Sequence, residues 1–384
     1  MGNMKKATAF TFYLLYFAAI ASLMPYVVLY YRQLGFTGTQ IGLLAGMSPL
    51  ITLVGAPLWT GIADTTRRHK LVMSLTLASV VVLALIFPTF KTLGPVILLV
   101  ALVSFFGAPI TPLADSATMS MLAGEKEMYG RVRLGGTIGW GLTAPVAGVL
   151  IQTYGLRLAF WGYAALMFLA LIVSRRFVFG QSAEGTSLQG GVRTLLTNRR
   201  WVLFLALAFV GGMGFASINN YLLPYMEELK ASRTTMGIAL AIATLFELPM
   251  LFFADRLLRR FKAHGLLVLA MIVTGVRLLL YAALNSPAGV LVVQILNGLT
   301  FPAAWVAGVS YADENAPAGM SATAQGLFGA TVSGFGAAAG GFIGGLLLES
   351  IGGQSMYFVF GVMVLVSIAI ITLIERRLPA EQRG

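Results

Sequence analysis

The sequence predicts an all-α integral membrane protein whose twelve transmembrane helices form two six-helix bundles related by pseudo-symmetry. Three observations carry this prediction. Of the 384 residues, 58% are hydrophobic and only 10% are charged, whereas a soluble domain carries about 25% charged residues. Charge-free runs recur along the chain, among them 7–31, 33–63, 71–90, 92–114, 315–348 and 350–374, and a membrane-crossing helix needs roughly 20 apolar residues. A polar segment, 175–200, splits the chain with six such helices on each side. The runs are long and do not alternate, which argues against a β-barrel.

The helices are expected, in order, at about 7–31, 39–63, 70–90, 94–122, 129–153, 157–175, 201–228, 233–256, 263–284, 288–312, 319–348 and 353–375. The first follows "MGNMKK" without a small-residue cleavage site, so it reads as a retained helix. The charge-free run 278–312 is too long for one crossing, and "NSPAG" at 285–289 supplies the turn that divides it. Two helices form around single charges, Glu247 and Arg277. The segment 175–200, "RRFVFGQSAEGTSLQGGVRTLLTNRR", reads as a cytoplasmic linker with a short interfacial helix at 191–197. The expected domains are therefore residues 1–175, a linker 176–200, and residues 201–384.

Charge placement sets the orientation. With both termini cytoplasmic, nineteen of the 26 basic residues fall on the cytoplasmic side and five on the other, as the positive-inside rule requires. This asymmetry accounts for the net charge of +12 without a nucleic-acid partner. The expected location is the inner (plasma) membrane, crossed many times, with the chain acting as a monomer. There is no cysteine, hence no disulfide, thiolate metal site or cysteine nucleophile. No phosphate-binding Gly-Lys-Ser/Thr loop, metal-binding His motif or Ser nucleophile with a nearby base is present, so neither ATP use nor enzymatic catalysis is expected, and no cofactor or metal.

The two halves echo each other. "GIADTTRRHK" (61–70) and "FADRLLRRFK" (253–262) are both an apolar run, an Asp and a basic cluster. "YYRQLGFTGTQIGLLAG" (30–46) aligns with "YMEELKASRTTMGIALA" (225–241). Parallel six-helix repeats are a recurring transporter design, with the solute site between the halves near mid-membrane. Anchoring explains the basic residues at both corners, but not an acid at each helix end, where the macrodipole is negative. Asp64, Arg68, Asp255 and Arg256 are therefore expected to form gate latches.

Four ionisable residues fall inside helices: Asp115, Arg133, Glu247 and Arg277. Each would cost several kcal/mol facing lipid, so each should face the protein interior and have a partner. They act either as fixed ion pairs between helices or as markers of a solute and proton path; the second reading is preferred for a transporter. Asp115 and Arg133 are expected to share a charge-assisted hydrogen bond that a solute hydroxyl or carboxylate can enter. Trp140 lies two turns beyond Arg133 on a similar face, either to contact solute or to pack. Asn219, Asn220, Tyr221, Gln294 and Asn297 offer polar contacts for a solute, or interhelical glue. Stripes of small residues at 135–148 and 326–345 let helices approach closely and are read as rocking interfaces.

The corner at 61–70 resembles the loop motif of the major facilitator superfamily, Gly-x-Leu-Ala-Asp-Arg-x-Gly-Arg-Lys, through Gly61, Ala63, Asp64, Arg68 and Lys70, and the second half keeps Ala254, Asp255 and Arg256. "GRVRLGGTIGW" (130–140) is similar to the Gly-Arg-x-Arg-x-x-Gly-x-x-Gly-Trp motif of its lactose-permease-like and phenylpropionate-permease-like branch. That resemblance implies that Asp115, eighteen residues before Arg133, pairs with it and binds solute, that Trp140 stacks on a ring, that Glu247 touches solute, and that Arg277 serves proton coupling. It fails on the tenth helix, where Gln294, Asn297 and Thr300 stand in place of Lys, His and Glu, and both histidines, His69 and His264, read as loop residues. Asp115 and Glu247 remain as proton carriers. The function implied is secondary transport by alternating access: a proton-coupled symporter importing a small polar organic solute, namely a sugar or oligosaccharide, a nucleoside or an aromatic acid. The alternative is a proton-driven exporter of drugs or metabolites.

Overall fold

The computed structural model of the chain describes residues 2–122, 125, 128–180, 195, 197–316 and 320–377. The expected linker 176–200 and the interfacial helix at 191–197 lie mostly outside these residues. Among the described residues every regular element is a helix. Eleven helical segments among the described residues are long and apolar enough to cross a membrane: α1 (Met4–Gln33), α2 (Gly38–Thr66), α3 (His69–Thr89), α4 (Leu93–Leu122), α5 (Tyr129–Tyr154), α6 (Arg157–Ser174), α7 (Arg199–Glu228), α8 (Arg233–Phe252), α9 (Ala254–Ala283), α10 (Pro287–Glu314) and α11 (Thr323–Glu375).

The last of these resolves the difference between eleven segments and twelve expected crossings. α11 has 53 residues; at about 1.5 Å per residue it would be ~80 Å long, far beyond a hydrocarbon core of about 30 Å. Gly352, at φ 78 and ψ 170, breaks it into two arms, a left-handed φ that glycine adopts without steric penalty. The two arms match the expected eleventh and twelfth helices.

The corner between the eighth and ninth helices differs from expectation. Instead of a loop after 256, the chain turns at Phe253 and enters α9 at once, with a second break at Lys262 (φ 57, ψ 165). Asp255 therefore sits in the first turn of a helix, where the dipole favours an acid. Of the two acids, only Asp64 opposes a helix dipole. His69 opens α3 and His264 lies within α9, so neither histidine is a loop residue.

Local chemistry explains the starts. α2 begins with a capping box in which Thr37 Oγ1 accepts from Gln40 N at 3.3 Å and Gln40 Oε1 accepts from Thr37 N at 3.1 Å. Asn198 caps α7 by accepting from the backbone N–H groups of Arg200 and Trp201. α10 starts with Ser286 as cap and Pro287 in its first turn.

Two compact units emerge, one comprising residues 1–184 with Ala231–Ala241, the other residues 185–230 with 242–384. In the first, α5 packs on α1; in the second, α11 packs on α7. The small-residue stripes make both contacts. A Cβ on Gly135 would come within 2.5 Å of the Phe10 carbonyl oxygen, and one on Gly139 would strike that of Leu14. A Cβ on Gly336 would lie 2.7 Å from the Phe209 carbonyl oxygen, and one on Gly340 would strike that of Met213. These faces, expected to be rocking interfaces, seat each fifth helix against the first helix of its own unit.

Gly139→Ala should therefore lower the melting temperature in detergent, because overpacking a backbone contact costs about 1–3 kcal/mol. Gly130→Ala, a helical position with nothing within 4 Å of the added Cβ, should be neutral or stabilise by about 0.5–1 kcal/mol. Equal melting shifts for the two variants would contradict this packing.

Candidate functional site

In the first unit, the intramembrane charges meet on α1. α4 is interrupted between its α-helical stretches Leu93–Gly107 and Ile110–Leu122, where Pro109 lacks the N–H that would continue the ladder. Asp115 lies five residues after the restart and is half-buried. Its Oδ1 accepts a hydrogen bond of 2.5 Å from the Tyr13 hydroxyl. Tyr129, at the start of α5, also lies beside this carboxylate.

Arg133, one turn into α5, does not pair with Asp115. Its guanidinium lies over the Phe17 ring, 4.1 Å from the centroid, and over the Tyr13 ring at 4.9 Å. Gly136 makes room for this posture, since a Cβ there would be 2.5 Å from an Arg133 terminal nitrogen. The Asp115–Arg133 hydrogen bond expected from sequence is thus absent; the phenol of Tyr13 takes the carboxylate, and two aromatic faces take the cation. Among the described residues Arg133 makes no hydrogen bond to a protein oxygen, so its five N–H donors remain available. Tyr16, stacked edge-on against Phe17 at 5.1 Å, accepts from Thr111 at 3.2 Å and extends the aromatic wall.

In the second unit, Arg277 of α9 is 2% exposed and is held by neutral acceptors. Its Nε donates to the Tyr281 hydroxyl at 3.0 Å, one terminal nitrogen to Asn297 Oδ1 and Thr300 Oγ1 at 2.9 Å each, and the other to Gln294 Oε1 at 2.5 Å. Tyr281 also donates to Gln294 at 2.7 Å, and Asn297 donates its amide to the Ala243 carbonyl of α8 at 3.1 Å. The acceptors come from a 3-10 stretch, Gln294–Leu299, ended by Thr300 at φ −105, ψ −108. Gly298 lets this stretch touch α8, because a Cβ there would strike the Phe246 carbonyl oxygen. Glu247 is therefore next to a backbone that the Arg277 network grips, one turn beyond Ala243.

The remaining expected solute contacts divide. Gln294 and Asn297, read as solute ligands or glue, hold Arg277 across helices, as the second reading has it. Tyr221 is fully buried, and its hydroxyl donates to the Gly341 carbonyl, tying α7 to α11. Asn219 is exposed and Asn220 half-buried, and neither is hydrogen-bonded among the described residues. Trp140 is half-buried with no aromatic neighbour among the described residues. Sequence reasoning missed Tyr13, Phe17 and Tyr281. Tyr281 carries a signal, four residues after Arg277 on one helix face; Tyr13 and Phe17 are camouflaged in the apolar run of α1.

At the corners, Asp64 Oδ1 lies 2.7 Å from His69 Nε2, so the first residue of α3 partners the acid at the end of α2. His69 stacks on Phe179 with ring centroids 5.2 Å apart. Arg68 serves as the backbone cap of α3. In the second unit, Asp255 is exposed with no carboxylate partner among the described residues, and Arg256 lies over the Phe253 ring at 5.2 Å. The two corners thus differ: Asp255, unlike Asp64, sits at a helix N-terminus that stabilises it.

Comparison with known proteins places these features. The chain is 29% identical over 371 residues to "Maltose permease" of Geobacillus stearothermophilus, covering 95% of this chain and 93% of that one. It is 25% identical over 361 residues to "Uncharacterized transporter YwbF" of Bacillus subtilis (strain 168), covering 92% and 89%. The crystal structure of the nucleoside transporter NupG superposes with a TM-score of 0.87 at 17% identity, over 98% of this chain and 100% of that one. The family model described as "MFS_1 like family" matches residues 9–360. The chain accordingly belongs to the MFS_1 like family, with the fold of the major facilitator superfamily, and is a multi-pass membrane transporter of small molecules rather than an enzyme.

Proposed function

We propose that this protein is a proton-coupled symporter that imports an oligosaccharide of the maltose class by alternating access, in the inner membrane and with both termini cytoplasmic. The observation that carries the reading is Arg133: a guanidinium inside a membrane helix, laid on Phe17 and Tyr13, with its N–H donors unspent and the Asp115 carboxylate nearby. Donors, an acceptor and aromatic faces are what a sugar needs, since its hydroxyls donate and accept while its C–H faces pack on rings. The similarity to a protein named maltose permease supports the same solute class. Asn219 and Asn220, uncommitted amides on a membrane helix, extend the polar lining, because an unbonded amide facing hydrocarbon is costly.

Arg277 is the fixed element in this scheme. Its hydrogen-bond capacity is nearly filled by Tyr281, Gln294, Asn297 and Thr300, so it supplies a permanent positive charge beside α8. Glu247, a turn from the Ala243 carbonyl that the network grips, is the proton carrier. Asp115 is the solute acceptor.

Uptake of labelled maltose into proteoliposomes should accumulate under an imposed inward proton gradient and collapse with a protonophore. Gradient-independent uptake would overturn the coupling, and gradient-driven efflux would establish the exporter alternative.

Arg133→Ala should raise the KM for maltose at least tenfold, as loss of hydrogen bonds from a charged group removes about 1.5–3 kcal/mol, while the melting temperature stays near that of the parent. Normal uptake by this variant would refute the site.

Glu247→Gln should retain maltose exchange across the membrane but lose gradient-driven accumulation. Retained accumulation would move the proton elsewhere.

Arg277→Lys should lower thermal stability, because an ammonium has three donors where the network supplies four acceptors. An unchanged melting temperature would show the network to be dispensable.

A further inference from the structure

We infer that Tyr13 is a positioning residue of the solute site, holding the Asp115 carboxylate away from Arg133 so that both charges stay open to solute. The inference rests on the reading of Asp115 and Arg133 as solute-binding residues and adds the device that keeps them apart. Two opposite charges on neighbouring membrane helices attract strongly in a low dielectric, and left alone they would join and spend their hydrogen bonds on each other. Here they meet on the same side chain. Asp115 takes the 2.5 Å hydrogen bond from the Tyr13 hydroxyl, while Arg133 stands over the Tyr13 ring at 4.9 Å and the Phe17 ring at 4.1 Å.

Three features show that the arrangement is built into the local fold. Tyr13 is fully buried, with its ring edge-on to Phe12 at 6.1 Å. Gly136 gives up a side chain where the Arg133 guanidinium folds back. Thr118, three residues after Asp115 on α4, has a buried hydroxyl without a hydrogen-bond partner among the described residues and lies beside Tyr13. It offers the Tyr13 hydroxyl a second acceptor when Asp115 turns toward a solute. Tyr13 touches the two binding residues and acts through them. Its phenol satisfies one lone pair of the carboxylate and leaves the rest for solute hydroxyls, and its ring supports the cation without consuming an N–H donor.

The decisive test needs no solute. The purified full-length protein is treated with phenylglyoxal, which reacts with accessible guanidinium groups, and modification of Arg133 is followed by peptide mass spectrometry. The parent should be modified readily. Tyr13→Phe, which keeps the ring and removes only the hydroxyl, should free Asp115 to pair with Arg133 and slow modification about tenfold, the worth of one charge-assisted hydrogen bond. The double variant Tyr13→Phe with Asp115→Asn should return to the parent rate. Asp115→Asn alone should leave the rate at the parent value, because Asp115 does not shield Arg133 while Tyr13 holds it. An unchanged rate in Tyr13→Phe, no recovery in the double variant, or a several-fold acceleration in Asp115→Asn alone would each overturn the proposal.

A transport arm separates positioning from scaffolding. In proteoliposomes, Tyr13→Phe should raise the KM for maltose about tenfold with kcat within about twofold. A fall in kcat at constant KM would assign Tyr13 to the conformational cycle instead and would overturn the proposal. If maltose is not transported at all while the modification pattern holds, the solute assignment fails and the role of Tyr13 stands.

Discussion

A charged side chain inside a membrane must be given partners by the protein, and this constraint organises both units. Arg277, buried, and Arg133, half-buried, meet this constraint by different means. Arg277 donates four hydrogen bonds to neutral groups on its own helix and on α10, each worth about 1.5–3 kcal/mol from a charged donor. That is enough to offset the several kcal/mol its burial costs. Arg133 receives two ring faces, worth roughly 0.5–1 kcal/mol each where the cation keeps contact with solvent, and no hydrogen bond to a protein oxygen among the described residues. The first arginine is a finished structure. The second is stable where it lies yet retains its full capacity for directional bonds, which is the condition of a binding group.

The backbone is arranged to the same end. Helices that stay regular through a membrane satisfy their own polar groups and have little to offer a neighbour. The fourth crossing of each unit is interrupted instead. In α4 the break at Ala108–Pro109 precedes Asp115 by about two turns. In α10 the 3-10 stretch Gln294–Leu299 turns Gln294 and Asn297 onto Arg277, at a spacing of three that a 3-10 helix places on one side. Irregular backbone at membrane depth persists where it serves a site. The π-helical stretch Ala330–Gly336 in α11 belongs to the same class of interruption, lying where Gly336 touches α7.

How much of this was legible in the sequence follows from the kind of signal each feature sends. The helices were readable because hydrocarbon thickness sets their length and leaves charge-free runs. Asp115, Arg133, Glu247 and Arg277 were readable because an ionisable residue inside such a run is an anomaly. Tyr13 and Phe17 were not, since an aromatic residue in an apolar run looks like packing whether it faces lipid or a guanidinium. The absence of an Asp115–Arg133 bond was also beyond reach: the eighteen-residue spacing puts the two on adjacent helices but says nothing of a third side chain between them. Gln294, Asn297 and Thr300 were seen as polar, but their common target was hidden because it depends on the 3-10 twist of α10, which the sequence "VVQILNGLTFP" does not announce. The end of α8 was misplaced for a similar reason: basic residues at 256–262 read as a loop, whereas the chain carries them on helical turns up to Lys262.

The two corners show what repetition of sequence does and does not preserve. Both present an Asp after an apolar run, followed by basic residues. Asp64 ends a helix, where the dipole opposes it, and it stays because His69 stands 2.7 Å away. Asp255 begins a helix, where the dipole supports it, and it has no need of a histidine. A shift of the helix boundary by a few residues reverses the electrostatics of the same motif. The same reasoning applies to the two intramembrane arginines, one on aromatic faces and one in an amide network. The repeat fixes where helices run and which of them touch; the side chains around each charge then decide whether it serves as structure or stays open for chemistry. In this chain the open charge, Arg133, is in the first unit and the closed one, Arg277, in the second. The pseudo-symmetric fold therefore carries an asymmetric arrangement of charge, with an open guanidinium among α1, α4 and α5 and a fixed positive charge held between α9 and α10.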